Sequence, residues 1–149
     1  MALDRYQAMF AIATYNGAIK IFNLKGYEQD IPLAHEHPIN FLLFVPNKGK
    51  LMSIDTSNCL KIWDLQDLSC LSTQSVPQPP EVFVTCFYMP QELTTKNENH
   101  RHAFIGMLNG DLYILDTDSQ ILSPYFVLFN HVMGNLAKPD AIADIKCNP

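Results

Sequence analysis

The sequence predicts an all-β protein built from blades of a WD-type β-propeller. One short strand returns three times, at residues 17–22, 58–64 and 110–116. A second apolar strand returns in step with it and ends on Pro46, Pro90 and Pro149. The central residues of the first strand, Ile19, Leu60 and Leu112, lie 41 and 52 residues apart. These spacings vary around the ~40–45 residues of a WD-type blade, so the pattern is typical of a repeat protein.

The repeats predict about three blades, over residues 1–34, 37–75 and 80–129, and the inner strand of a next blade at 141–147. Propellers close with ~4–8 four-stranded blades, so we expect an incomplete propeller, a fragment of a longer product. An open arc would expose its first and last blade faces. We therefore expect the isolated polypeptide to associate, and its function to require further blades.

Within each blade, turn chemistry predicts the hairpin between the second and third strands. Gly17 and Gly110 follow asparagine, and Asn58 tolerates left-handed backbone geometry. Candidate outer strands are 27–33, 70–75 and 121–128, and the polar stretch 91–102 is expected to be a surface loop. The third strands should be packed between blades through Ile19, Ile21, Leu60, Ile62, Leu112 and Ile114.

The dipeptide Trp63-Asp64 ends the third strand of the second repeat, as in WD blades. An indole, a serine and a histidine commonly form hydrogen bonds in such blades, and Ser53 and His35 are the candidates here. Thr56 stands where the hairpin acid is often found, so we expect this network to be partial. The residues predicted to have a structural role in the blades are Ser53, Trp63, Asp64, Gly17 and Gly110.

Composition argues against several classes of protein. The net charge is −5 and the ten Lys and Arg residues are scattered, which disfavours nucleic acid as a partner. No apolar run approaches the ~18–20 residues of a membrane span, and the N-terminus lacks a signal peptide, so a cytoplasmic location is expected. The four cysteines form no Cys-x-x-Cys pair and are expected to be buried, reduced thiols.

The sequence contains few residue patterns that are typical of metal-binding or catalytic sites. His35-Glu36-His37 and His100-Arg101-His102 offer alternating imidazoles but no companion ligands, so no metal or other cofactor is expected. No Gly-x-Ser-x-Gly elbow or phosphate-binding glycine loop occurs, and Asp116 with Asp118 is interpreted as a solvated turn. We predict that the chain is not an enzyme.

The residues of the first two repeats also resemble one particular family. Residues 10–22, 26–28, 41–46, 49–53 and 60–65 are similar to the N-terminal propeller of the lethal giant larvae, tomosyn and yeast Sro family. Gly17 to Ile21 is the most specific part. The similarity continues at 121–125, Asn130 and 139–149, and departs at Lys25 and in the loop 91–102.

The resemblance implies a non-enzymatic scaffold that regulates SNARE-dependent exocytosis and cell polarity. Its implied partners are syntaxin-type SNAREs, with Rab GTPases and myosin II as further ones, and it would reach the plasma membrane only through those partners. No partner-binding residue can be transferred to a numbered position. The alternative is a generic WD-repeat interaction adaptor, for example a substrate adaptor of a ubiquitin ligase, which the blade periodicity alone supports.

Overall fold

The computed structural model describes residues 1–4, 8–26, 28–90, 101–125 and 142–145. All strands in these ranges belong to three four-stranded antiparallel sheets, as the repeats predicted. The described residues hold no helical segment with the length and hydropathy of a membrane span. The predicted fold class, all-β with about three propeller blades, is therefore confirmed.

Each sheet is a meander in which strands adjacent in sequence are adjacent in space. The first sheet contains β1 (Ala2–Asp4), β2 (Met9–Ala13), β3 (Ile19–Asn23) and β4 (Glu28–Ile31). The second contains β5 (Ile39–Val45), β6 (Lys50–Asp55), β7 (Cys59–Asp64) and β8 (Cys70–Ser75). The third contains β9 (Val84–Tyr88), β10 (His102–Met107), β11 (Leu112–Asp116) and β12 (Ile121–Pro124).

The hairpins between second and third strands turn at the residues that the sequence singled out. Gly17, Asn58 and Gly110 have φ of 81°, 63° and 85°. Positive φ is the left-handed region, which glycine enters freely and asparagine enters more readily than most residues. Local turn chemistry thus fixes the pairing of β2 with β3, β6 with β7 and β10 with β11.

The chain divides into two compact units, Met1–Val76 and Pro77–Pro149. The first unit contains the first two sheets, which share one hydrophobic core. Its buried members are Ala2, Ala11, Ile19, Ile21, Ile31, Ala34, Leu42, Phe44, Leu51 and Trp63. Burying a large apolar side chain contributes about 1.5–3 kcal/mol, so this contact between the two sheets contributes substantially to the stability of the unit.

The second unit contains the third sheet. Its buried apolar side chains include Val84, Phe87, Met89, Ala103, Ile105, Met107, Tyr113 and Leu115. The segment 142–145 contacts this sheet: Ile142 N donates to Met107 O at 3.2 Å. A Cβ on Gly106 would lie 2.7 Å from Ile142 Cγ2, so glycine is required for this approach.

Several expectations need refinement. The polar loop predicted at 91–102 ends earlier, because His102 begins β10; residues 91–100 lie outside the described part. Of the inner strand predicted at 141–147, residues 142–145 have no strand pairing and the remainder is not described. The outer strand predicted at 121–128 is observed as Ile121–Pro124, and 126–128 are not described.

Burial of the third strands also differs from expectation. Ile19, Ile21, Leu60 and Ile62 are buried as predicted, at 2% exposure or less. Leu112 and Ile114 occupy the equivalent strand but are only half-buried. Register places a side chain on one face of a sheet, whereas burial depends on what covers that face, and a local repeat does not specify the cover.

Candidate functional site

A chain of four buried polar side chains crosses the second sheet. Trp63 Nε1 donates to Ser53 Oγ at 2.9 Å, and Ser53 Oγ lies 2.6 Å from His35 Nε2. His35 Nδ1 lies 2.9 Å from Asp55 Oδ2. All four residues are at most 5% exposed. The chain links the segment before β5 to strands β6 and β7, so it fastens three parts of the blade together.

The aspartate makes this network complete, contrary to the expectation that Thr56 would leave it partial. Ser53 and Asp55 are two residues apart on β6, and side chains two apart in a strand share one face. Asp55 therefore reaches His35 directly. Thr56 instead uses its backbone N–H, which donates to Pro38 O at 2.9 Å.

Asp55 also organises the hairpin that follows β6. Its Oδ1 accepts hydrogen bonds from Ser57 N at 2.9 Å, Ser57 Oγ at 2.6 Å and Cys59 N at 3.0 Å. Asn58, at the left-handed position, completes the turn. A single carboxylate thus holds both His35 and the tip of the hairpin.

His35 is held from its backbone as well. His35 N donates to Gly17 O at 3.0 Å, which connects it to the hairpin of the first sheet. Lys61 Nζ donates to Ala34 O at 2.8 Å and lies 5.7 Å from the ring centre of Trp63. The two sheets of the first unit are therefore joined by polar contacts at one end of their shared core.

Electrostatics favours a neutral histidine in this network. Burial lowers the pKa of His35, and the hydrogen bond with Asp55 opposes that shift without overcoming it. For Asp55, burial pushes the pKa upward, but hydrogen bonds from Ser57, Cys59 N and His35 together outweigh it and hold the pKa below its ordinary value. The consistent assignment is Nδ1–H donating to Asp55 and Nε2 accepting from the Ser53 hydroxyl.

The order Ser53, His35, Asp55 matches the hydrogen bonding of a serine nucleophile, its base and the residue that orients the base. The environment does not match. Ser53 is 0% exposed, and its oxygen already accepts a hydrogen bond from Trp63 Nε1. A nucleophile must approach a substrate carbonyl at about 3–3.5 Å, and a fully buried oxygen offers no such approach. The geometry is that of a structural clamp.

The two histidine motifs that could suggest a metal site differ in how much of each the structure describes. His35 is buried, whereas Glu36 and His37 are not buried with it. His100 lies outside the described residues, and His102 Nε2 is 3.8 Å from Asp116 Oδ2. Asp116 Oδ1 accepts from Asp118 N and Ser119 N, which makes this acidic pair a turn, as expected.

One group of possible metal ligands was missed from the sequence. Ligand atoms of His35, Asp55 and Cys59 all lie within 4.8 Å of one another. Both imidazole nitrogens of His35 and both oxygens of Asp55 are already engaged in the hydrogen bonds described above. An ion bound there would have to break the clamp.

The other predicted structural residues lie outside the clamp. Asp64 Oδ1 accepts from Gln66 N at 2.7 Å and so stabilises the turn after β7. Gly110 N donates to Met107 O at 3.1 Å within its hairpin. Among the cysteines, Cys86 is buried, but Cys70 is exposed, contrary to the expectation of buried thiols; Cys147 lies outside the described residues.

The third sheet has a different clamp, which sequence reasoning did not find. Gln78 Nε2 donates to Asp111 Oδ2 at 2.6 Å and to Tyr113 Oη at 2.8 Å. Asn109 Nδ2 donates to the same Asp111 oxygen at 2.9 Å, and Tyr113 Oη lies 3.3 Å from Pro77 O. As in the second sheet, a side chain before the blade reaches an acid beside the central hairpin.

Comparison with known proteins supports the repeat assignment at a coarse level. No protein-family model matches the chain. A stretch of 60 residues is 33% identical to the target of rapamycin complex subunit wat1 of Schizosaccharomyces pombe. The match suggests a WD-repeat protein. It covers 40% of this chain and 19% of the relative, and it does not bear on the narrower resemblance to the lethal giant larvae family.

Proposed function

We propose that this protein is a non-catalytic WD-repeat scaffold that binds other proteins. The observation that carries the proposal is the buried clamp of Trp63, Ser53, His35 and Asp55. Among the described residues, Ser53, His35 and Asp55 most resemble a set of catalytic side chains, and their hydrogen bonds hold parts of the fold together. Many of the residues left exposed to solvent lie in turns and in the outer strands β4 and β8, where partners could bind.

Labelling with a fluorophosphonate, which phosphonylates activated serines, tests the absence of catalysis at this position. The folded protein should not be labelled at Ser53, and the Ser53→Ala variant should give the same background. Stoichiometric labelling of Ser53 in the folded chain would contradict the scaffold assignment.

For the partners, we propose syntaxin-type SNAREs, with a role in regulating exocytosis and cell polarity. The support is the resemblance of residues 10–22 and 60–65 to the lethal giant larvae, tomosyn and Sro family. Rab GTPases and myosin II are further proposed partners. The proposed location is cytoplasmic, with recruitment to the plasma membrane through these proteins.

A second candidate is a scaffold in another multiprotein assembly. The sequence match to a subunit of the target of rapamycin complex favours that alternative, and the substrate adaptor of a ubiquitin ligase belongs to the same general class. In each case the protein would act by offering a surface, without covalent chemistry.

Direct binding distinguishes these candidates. The product of the gene, purified from its own cells through a tag, is quantified for co-purifying syntaxin, target of rapamycin kinase and cullin. The syntaxin complex is then rebuilt from purified components, with a vesicle-side SNARE as the control. Syntaxin binding that the control does not show supports the proposal, whereas enrichment of the kinase or cullin without syntaxin overturns it.

A further inference from the structure

A cavity of about 620 Å³ lies between the first and second sheets. It is found at the end of β3 and β7, next to Asn23 and Asp64. The contact of His35 with Gly17 joins the same two sheets at their other end, before β3 begins. Both walls belong to the compact unit Met1–Val76. Ligand pockets in proteins measure about 300–1,000 Å³, so the cavity has the size of a binding site.

The floor of the cavity is apolar and continuous with the shared core of the unit. Ile21 is 2% exposed, and Met9 and Leu65 pack partly buried against the core. Gly49 leaves space on the side of the second sheet, since a Cβ added there would meet nothing within 4 Å. An occupant with an aliphatic stem would therefore extend the core at this position.

Polar side chains at the rim of the cavity have unused hydrogen-bonding capacity. Asp64 is half-buried, and its Oδ1 accepts from Gln66 N at 2.7 Å. Its Oδ2 has no hydrogen-bond partner among the described residues. In the part of the chain that the structure describes, the side-chain amides of Gln29 and Gln66 have none either. The cavity thus combines an apolar floor with polar groups that a ligand can satisfy.

The charges that line the cavity favour a cationic occupant. Glu28 and Asp64 supply two carboxylates against the single ammonium group of Lys48, which is exposed at the rim. Glu28 already pairs with Lys20 at 2.8 Å, so Asp64 is the main anionic group available to a ligand. A charge pair formed in a cavity that is partly shielded from water is stronger than one on an open surface.

We propose that this cavity binds an arginine side chain of a partner protein, with the guanidinium group at Asp64 and the aliphatic stem on the apolar floor. A guanidinium group is planar and donates several hydrogen bonds, to carboxylates and also to amide oxygens such as those of Gln29 and Gln66. Phe22 adds an aromatic ring to the lining, on which a guanidinium group can stack. The inference rests on the proposed scaffold function, because it names the chemistry of a partner and the place where it binds.

Fluorescence anisotropy with a labelled peptide tests the proposal. The probe is the pentapeptide Gly-Leu-Arg-Leu-Gly with fluorescein at its N-terminus. The matched peptide contains citrulline in place of arginine, which keeps the shape of the side chain and removes its charge. The chain should bind the arginine peptide, and it should bind the citrulline peptide at least about tenfold more weakly, because a charge-assisted hydrogen bond is lost.

The test variant is Asp64→Asn, since asparagine keeps an oxygen that can accept from Gln66 N. It should weaken binding of the arginine peptide by about tenfold and leave binding of the citrulline peptide unchanged. The control variant is Asp67→Asn, because Asp67 lies in the same turn, accepts from Ser69 N at 2.9 Å and is outside the cavity lining. It makes the same change in charge and should bind like the wild type.

Circular dichroism confirms that each variant is folded. If Asp64→Asn is not, Glu28→Gln replaces it and should also weaken binding, with Asp30→Asn as its control, since Asp30 also pairs with Lys20 but does not line the cavity. The inference is overturned if the arginine peptide does not bind, if the citrulline peptide binds equally well, or if the test and control variants lose binding equally. The co-purification of partners would still decide the scaffold proposal, so the two failures are distinguishable.

Discussion

Gly17 lies against the carbonyl of His35 so closely that a Cβ on Gly17 would be 2.2 Å from that oxygen. The contact brings the central hairpin of the first sheet to the segment that leads into the second. The carbonyl oxygen of Gly17 also accepts the His35 N–H at 3.0 Å. Glycine is therefore required at position 17 for two reasons. It adopts a positive φ freely, and it has no side chain to clash with the carbonyl of His35.

Replacing Gly17 with alanine should destabilise the protein more than other glycine replacements. Left-handed geometry alone costs an alanine about 1–2 kcal/mol, and the clash with backbone adds to it. Gly26→Ala is the matched control, because Gly26 has φ of 85° and a Cβ added there would meet nothing within 4 Å. Denaturant unfolding measures both, and equal losses would show that His35 moves aside without cost.

Removing the Ser53 hydroxyl should weaken the second sheet. Ser53→Ala leaves Trp63 Nε1 and His35 Nε2 buried without this partner, at about 1–3 kcal/mol for each unsatisfied group. Trp63→Ala should cost about 3–5 kcal/mol, because it also removes packing. Ser123→Ala, at an exposed position, is the control and should change the unfolding free energy by less than about 0.5 kcal/mol. A loss at Ser53 no larger than this would refute the clamp.

The free energy of unfolding should decrease as the solution becomes more acidic, over a pH range set by His35. Its pKa in the folded protein lies below the ordinary value of 6.5, so below that pH the unfolded chain binds the proton more readily. Stability is complete above pH 6.5 and decreases as the pH falls toward the folded pKa, by at most about 1.36 kcal/mol per pH unit. Asp55, whose pKa is held below 3.8, adds a further loss in more acidic solution.

The variant His35→Gln separates this effect from other titrations. Glutamine keeps a polar side chain but cannot gain a proton, so the unfolding free energy of the variant should vary less as the pH falls below 6.5. Parallel pH profiles for the wild type and the variant would mean that His35 does not titrate differently on folding.

The clamp of the third sheet should depend on Gln78. Gln78→Ala leaves Asp111 and Tyr113 without its amide, and should cost about 1–3 kcal/mol. Tyr113→Phe removes only the hydroxyl and should cost about 0.5–1.5 kcal/mol. Thermal unfolding of the two single variants and the double variant measures their coupling. Strictly additive losses would indicate that the two side chains act independently.

Features governed by neighbouring residues were predictable from the sequence. The turns at Gly17, Asn58 and Gly110 follow from local backbone preference, and the strands follow from their repeated apolar pattern. Asp55 lies one residue before the position where the hairpin acid is often found, and its role was not predicted, because that role depends on sharing a strand face with Ser53. The two-residue spacing of Ser53 and Asp55 within one predicted strand could have indicated that their side chains share a face.

Features that depend on distant residues were not predictable. Gln78 and Asp111 are 33 residues apart, and an isolated glutamine before a blade carries no distinctive motif. Leu112 and Ile114 lie in the predicted register yet remain half-buried, because burial needs a second surface. Sequence periodicity determines which residues share a face, and tertiary contacts determine whether that face is covered.

The position of His35 bears on how the first unit folds. Its partners Ser53 and Asp55 are only 18 and 20 residues away, so the loop that must close is short and its entropic cost is modest. The bond to Gly17 forms only when the hairpin of the first sheet is present. We therefore expect the two sheets to open as a single cooperative unit, with hydrogen exchange at β3 and β7 governed by the same opening event.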